Sequence, residues 1–446
     1  MRIFVWAAGA VVGLLLLAAA LGLGAYFLNT CTPPMTAAPS LPASTAEAEP
    51  LTRADGAVDW RAHTLVDLAA ASRQLWENTP IPFDAENDRY RRWAIEGFVQ
   101  AEQRAAAVVD RAGYFFTLSA YINGFQDPHV AVYLKGDPLP TRWPGFLVSA
   151  DGEGARVVAV DPALGNAPPV GAKIVGCDGA PIAALLAEKI FPYRYNPALV
   201  EDRRTATTRL FLDRGNPFAP PLARCSFEMG GRTTETALDW RAAPGDDAWW
   251  ARVADAGAGA RAEWGVSSPA PGVAWIGVPT FSSGEETSPK LDALIKEVAA
   301  KGDAMRAGRA IVIDTRGNGG GNSWYADRLA EAVFTKPVLK AHGAPPRKEA
   351  TDWRGSVDNA AYWKSEAERQ KAEFGRFSLN RLGSMFLSWR LGESAKETPP
   401  IWRTGLCKTD PAGGLTTMRP KGASPFPAKG YFLSNGSCGS SCLNFA

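Results

Sequence analysis

Hydrophobic positions change their spacing several times along the chain, and each change marks a different kind of element. Residues 3–28 form an apolar run of 26 residues without a charge; as a helix this would be about 39 Å long, enough to span a bilayer with tilt. Residues 32–58 are rich in Pro, Ala, Ser and Thr, a composition that buries no core and reads as a linker. From Trp60 to Ala120 the spacing is helical, with Leu65, Leu68, Ala69 and Leu75 in one segment and Trp93, Phe98, Val108 and Val109 in the next. The alternation over 130–134 then predicts a strand entered from the turn Asp127-Pro128-His129.

Between 145 and 240 the pattern becomes short β-type runs, at 146–148, 156–160, 173–175 and 233–238, separated by Gly, Pro and Asp turns. Past Gly272 it reads strand, helix, strand, helix. A strand at 273–278 leads to Ser288 and Pro289 as N-cap and first residue of a helix with Leu291, Leu294, Ile295 and Val298 on one face. The continuous apolar run 310–314 suits a buried parallel strand, and a helix carrying Tyr325, Leu329 and Val333 follows its glycine-rich loop. Residues 345–400 carry many charges, with Trp353, Trp363, Phe374, Phe377, Phe386 and Trp389 at helix-like intervals, which reads as a helical insertion over the site or as an ordinary amphipathic packing element. The final stretch, 430–446, reads as an apolar strand, a Gly/Ser/Cys turn and the start of a helix.

Length and composition narrow the class. A chain of 446 residues implies two to four domains. Its 48 Lys and Arg against 46 Asp and Glu leave no basic excess for nucleic acid. The apolar N-terminal run exceeds the usual core of a signal peptide, so an uncleaved membrane anchor is favoured over an export signal. Of the six cysteines, Cys177 with Cys225 and Cys438 with Cys442 are possible bridges, with buried free thiols the alternative.

Two segments carry chemistry. In Asp314-Thr-Arg316-Gly317-Asn318-Gly319-Gly320-Gly321-Asn322, glycines at a strand-to-helix turn let amides point into a cleft, and Asn322 or Ser323 can cap the helix. Such a loop serves a phosphate or an oxyanion. It lacks the Gly-Lys-Ser/Thr or G-x-G-x-x-G frame of a phosphate loop, which favours the oxyanion and leaves a nucleotide-binding domain as the lesser rival. In Asn435-Gly-Ser-Cys-Gly-Ser440-Ser-Cys442, a hydroxyl at a strand-to-helix turn is placed as a serine nucleophile is. A cysteine nucleophile is disfavoured, because no cation stands nearby to hold a thiolate.

These segments resemble the C-terminal processing (tail-specific) and tricorn-like serine peptidases. The loop from Asp314 is similar to their "D-x-R-x-N-x-G-G" segment, and the final turn to their "S-A-S-A-S-E" segment, which puts the nucleophile at Ser440. The run from Val170 to Gly179 is similar to the "G-D-x-I-x-x-I-D-G" hairpin of PDZ domains, with Ala172 and Cys177 departing from it. Asp127-Pro128-His129 resembles the "D-G-H-T" segment with which tricorn-like members supply a histidine base. Leu443 stands where many members have Glu. Other members use a lysine two to three dozen residues past the serine. Here only six residues follow Ser440, so a lysine base, or the acidic partner of a histidine base, would lie beyond 446 and the core would be truncated.

After the membrane anchor (1–30) and linker (31–58) read from the composition, the resemblance, over roughly residues 60–446, implies a multidomain α/β fold with a helical cap domain (59–140), a PDZ-like β domain (141–242) and a crotonase-like, ClpP-like α/β core (260–446) carrying the 345–400 insertion. It implies a cell-envelope serine endopeptidase with Ser440 as nucleophile and His129 as base. Gly319, Gly320 and Ser441 would form the oxyanion hole, supported by Asp314, Arg316, Asn318 and Asp127. Ser434, Ser437 and Ser441 are the other candidate nucleophiles, and His63 and His342 the other histidines. Polypeptide substrates held by the PDZ-like domain and a membrane are the expected partners, without nucleic acid, metal or organic cofactor. An inactive peptide-binding scaffold of the same fold is the main alternative.

Overall fold

The computed structural model describes residues 41, 51–84, 88–151, 154–165, 167–342, 350–405 and 426–445. The expected membrane anchor, most of the linker, Cys31 and Cys407 lie outside them. Among the described residues no helix is long and apolar enough to cross a membrane. The chain divides into two compact units, one of residues 1–107 and 346–417, the other of residues 108–345 and 418–446.

In the first unit, Asp59 caps the helix Trp60–Asn78 by accepting from the amide of Ala62, and a second helix, Asp88–Ala105, packs on it. The segment expected as one helical cap domain over 59–140 therefore parts at Ala107, and its first half groups with the insertion. The insertion is a pair of helices, Val357–Phe374 and Leu379–Ser394, mounted on a two-stranded antiparallel ribbon of Ala350–Arg354 and Ile401–Gly405. Trp353, expected on a helix, lies in that ribbon, where it pairs with Trp402 and meets Trp363. Asn78 joins the two parts: its carboxamide oxygen accepts from Ser356 Oγ at 2.6 Å and its carbonyl from Asn359 Nδ2 at 2.9 Å.

The second unit begins with the helix Arg111–Asn123, capped by Asp110. No strand forms at 130–134: Tyr133 is 85% exposed and the segment finds no partner strand. Alternation supplied the apolar side chains, but no sheet edge receives them. A five-stranded antiparallel meander follows, in the order Phe146–Asp151, Gly154–Val160, Lys173–Cys177, Arg224–Met229 and Arg232–Ala237. Its apolar face, with Phe146, Val148, Val157, Ile174 and Phe227, packs on Leu185 and Leu186 of the helix Ile182–Lys189 and on Ala206 and Leu210 around the helix Val200–Arg209. Cys177 and Cys225 face each other across neighbouring strands and are bonded as a disulfide.

The remaining sheet has the order Lys429–Leu433, Ala310–Asp314, Val273–Gly277, Gly265–Ala270, the first three parallel and the last antiparallel. Ile276, Ile311 and Ile313 pack against Leu291, Leu294, Ile295 and Val298 of the helix Thr287–Arg306 and against Tyr325, Leu329 and Val333 of the helix Ser323–Phe334. The first of these helices begins earlier than its Ser-Pro pair suggested: Glu286 is the N-cap, and Ser288 instead accepts a hydrogen bond from the amide of Gly284. One register detail positions the site. Asp314 lies level with Gly277 on one side and Leu433 on the other, so three parallel strands end together. The carboxyl ends of parallel strands are where open α/β sheets place their chemistry.

Candidate active site

Two loops leave that edge, one after Asp314 and one after Leu433, and they are sewn together. The Thr315 amide donates to the Leu433 carbonyl at 2.8 Å. Asn435, buried in the second loop, accepts from the Gly317 amide at 2.9 Å and the Ser437 amide at 3.2 Å, while its own NH₂ donates to the Ala260 carbonyl at 3.1 Å. Asn318, fully buried, donates to the Val278 carbonyl and accepts from the Gly320 amide, each at 2.9 Å. A buried carboxamide that satisfies several backbone groups holds them in one geometry, since losing it would strand each of them without water.

The ion pair at the root of the first loop is bidentate. Arg316 reaches Asp314 through Nε at 2.9 Å and Nη2 at 2.7 Å, its amide adds a bond of 3.1 Å, and the Trp275 indole N–H donates at 3.2 Å. Burial alone would raise the Asp314 carboxyl, but these hydrogen bonds and the guanidinium charge outweigh it and hold the group below the usual carboxylate range.

Ser440 sits between the strand Lys429–Leu433 and the short helix Ser441–Phe445, exposed and in the left-handed region at φ 50°. A residue with a Cβ is rarely held there, and a strained strand-to-helix turn of this kind presents a hydroxyl outward. Its neighbour Ser441 has the opposite environment. It is buried, and its hydroxyl donates to the Gly321 carbonyl at 2.7 Å and lies 3.1 Å from the hydroxyl of Ser323. Ser441 is thus a tie between the two loops and is unsuited to attack. Ser434 is exposed and Ser437 half-buried, but neither stands at the turn into the helix.

Glycine is required where the loops touch. A Cβ on Gly320, at φ 93°, would lie 2.5 Å from the Gly439 carbonyl oxygen, 2.7 Å from Ser440 Cβ and 2.9 Å from the Ser441 amide nitrogen. The structure corrects one expectation here: the Gly320 amide does not point into a hole, because it is spent on Asn318 Oδ1. The amides of Gly319 and Ser441 have no acceptor among the described residues.

His129 lies in the same unit but forms no hydrogen bond with Ser440. Its ring is 77% exposed, with Nδ1 at 3.1 Å from Asp127 Oδ1, and the same oxygen accepts its amide at 2.9 Å. His63 packs its ring near Trp60 in the first unit. A disulfide joins Cys438 to Cys442 across the turn that carries Ser440. Among the described residues no cluster of His, Cys, Asp or Glu could hold a metal ion.

Sequence reasoning missed that Asn435 clamps the two loops and that Ser323, read as a possible helix cap, meets Ser441. The Asn-Gly pair at 435–436 signals a turn, but the partners of Asn435 lie 118 residues away at Gly317 and 175 away at Ala260.

No family model and no curated protein matches the chain. Solved structures of CPAF do. A serine-to-alanine mutant of CPAF gives a TM-score of 0.52 at 15% identity, over 86% of this chain and 81% of that one. Mature CPAF complexed with lactacystin gives 0.50 at 16%, over 78% and 75%, and mature CPAF alone 0.47 at 17%, over 71% and 67%. At these identities the likeness speaks for the fold, and this chain has a multidomain α/β fold similar to that of CPAF.

Proposed function

We propose that the chain is a serine-type endopeptidase in which Ser440 attacks a peptide carbonyl and an acyl-enzyme forms and is hydrolysed. The observation that carries the reading is the seating of Gly320 against Ser440, which sets an exposed, left-handed serine beside the loop whose Gly319 amide has no acceptor among the described residues. The fold is similar to that of CPAF, solved as a serine-to-alanine mutant and in complex with lactacystin, which agrees with it.

In this reading the developing oxyanion is received by the amides of Gly319 and Ser441, which have no other acceptor to give up. His129 takes the Ser440 proton through Nε2 and later returns it to the leaving amine. Asp127, on Nδ1, holds the ring in the tautomer with Nε2 free. A water then repeats the sequence on the acyl-enzyme. The antiparallel domain of 141–242 is read as PDZ-like, presenting an extended polypeptide by adding a strand to its edge. The apolar residues 3–28 are read as an anchor, with the protease in the cell envelope.

One observation favours a second reading. Ser440 Oγ has no hydrogen-bond partner among the described residues, as in a peptide-binding scaffold that keeps the fold without a base. Incubating the full chain and its Ser440→Ala variant with an unstructured polypeptide decides between them. New peptide termini produced by the native chain alone support the peptidase; none from either supports the scaffold.

A further inference from the structure

The disulfide between Cys438 and Cys442 spans a sequence separation of only 4, with Ser440 at its centre. A bridge that closes so short a loop removes little entropy from the unfolded chain. The Cys177–Cys225 bridge, with a separation of 48, removes more. The effect of the short bridge is therefore local, and its locality coincides with the one residue of the turn that is held in a disfavoured backbone region.

On either side of Ser440 the chain is already restrained. Before it, the Cys438 amide donates to the Asn435 carbonyl at 2.9 Å; after it, the Cys442 amide donates to the Gly439 carbonyl at 3.0 Å and Ser441 is tied to Gly321. Cys442 is fully buried, which anchors one end of the bridge in the core, while Cys438 is half-buried and reachable. Only one backbone hydrogen bond, from the Cys442 amide to the Gly439 carbonyl, reaches across Ser440 to the helix, and the disulfide is the covalent link over the same span.

We infer that Cys438 and Cys442 are positioning residues for Ser440, and that their disulfide makes the reactivity of the serine conditional on oxidation. The inference rests on Ser440 being the nucleophile. A dithiol reductant converts the bridge to two thiols, its own two sulfurs becoming a disulfide, so two electrons and two protons pass to Cys438 and Cys442. Freed of the link, Ser440 relaxes toward ordinary backbone regions. The left-handed state is disfavoured for a residue with a Cβ by roughly tenfold in population. The buried, cross-strand Cys177–Cys225 bridge lies in another sheet and serves as an internal comparison.

The test is the rate at which a small fluorophosphonate labels Ser440 of the full chain, oxidised, reduced with a dithiol, and reoxidised. Alkylation and mass spectrometry identify which bridge has opened, and circular dichroism monitors the fold. We expect the maximal labelling rate to fall about tenfold on opening of Cys438–Cys442, with half-saturation by the reagent unchanged, and to recover on reoxidation. The Cys438→Ser/Cys442→Ser variant, which keeps the other bridge, should label at the slow rate whether or not reductant is present. Equal labelling of oxidised and reduced protein, with both thiols alkylated, overturns the inference alone. No labelling of the oxidised chain overturns the serine-nucleophile reading and the inference with it.

Discussion

Gly320 and Ser440 come from loops 120 residues apart, yet a Cβ on the first would stand 2.7 Å from the Cβ of the second. That approach is closer than two such carbons tolerate, and it depends on Gly320 having no side chain. The Gly320→Ala variant must push the nucleophile turn away and also carries a side chain at φ 93°. We expect labelling and hydrolysis to fall by about 10²-fold or more, as when an oxyanion donor is lost. Stability should fall by roughly 1–3 kcal/mol. Activity assays beside a denaturant melt separate the two effects.

Asn435→Ala leaves the half-buried amides of Gly317 and Ser437 and the carbonyl of the exposed Ala260 without this partner. A loss of roughly 1–3 kcal/mol per stranded group is the upper scale, so a shift of that order in urea unfolding is expected. Asn435→Asp keeps the acceptor but not the NH₂, and should restore part of the loss. A melt unchanged in Asn435→Ala would mean that the clamp contributes nothing to the joining of the two loops.

The pair of Asp314 and Arg316 gives the protein an acid-sensitive element. The carboxyl is held below its unfolded value near about 3.9. Its contribution is therefore present above that pH and is lost as pH falls toward and through the folded value. In Arg316→Gln the guanidinium charge and its two hydrogen bonds are lost while the residue-316 amide and the Trp275 indole still donate, so the carboxyl is held down less. Loss of stability on acidification should therefore be smaller than in the native chain. At neutral pH the variant should be less stable by roughly 1–3 kcal/mol, less than for a fully buried pair because the arginine is 31% exposed. Thermal midpoints from pH 7 to pH 3 report both.

How far these residues were legible follows from the range of the forces that place them. The strand 310–314, its glycine loop and the face of Leu291, Leu294, Ile295 and Val298 are local patterns, and all are found as read. Asn322 caps its helix through Trp324, another short-range bond. The strand Arg224–Met229 was missed because only Cys225 and Phe227 face the core among the polar Arg224, Ser226 and Glu228, although that alternation was itself a signal. Residues 130–134 carried the same alternation and formed no strand, because pairing needs a partner edge that no local window reveals. Ser440 was visible as a residue at a strand-to-helix turn. Its left-handed backbone, its contact with Gly320 and the diversion of the Gly320 amide to Asn318 all depend on distant chain.

His129 is the one residue whose role rests on its Asp127 partner rather than on contact with Ser440. His129→Ala should lower the hydrolysis rate by about 10²–10⁴-fold while leaving the melting temperature within a degree or two, since the ring is exposed. Asp127→Asn should give an intermediate loss. Hydrolysis that survives His129→Ala unchanged assigns the base elsewhere.

An activated nucleophile at Ser440 is open to covalent capture. The full, oxidised chain is treated with a fluorophosphonate, digested and mapped by mass spectrometry. A single adduct on Ser440 is expected, lost in Ser440→Ala and strongly reduced in Gly320→Ala. An adduct on Ser434, Ser437 or Ser441, or none at all on the oxidised chain, would contradict a nucleophile at Ser440.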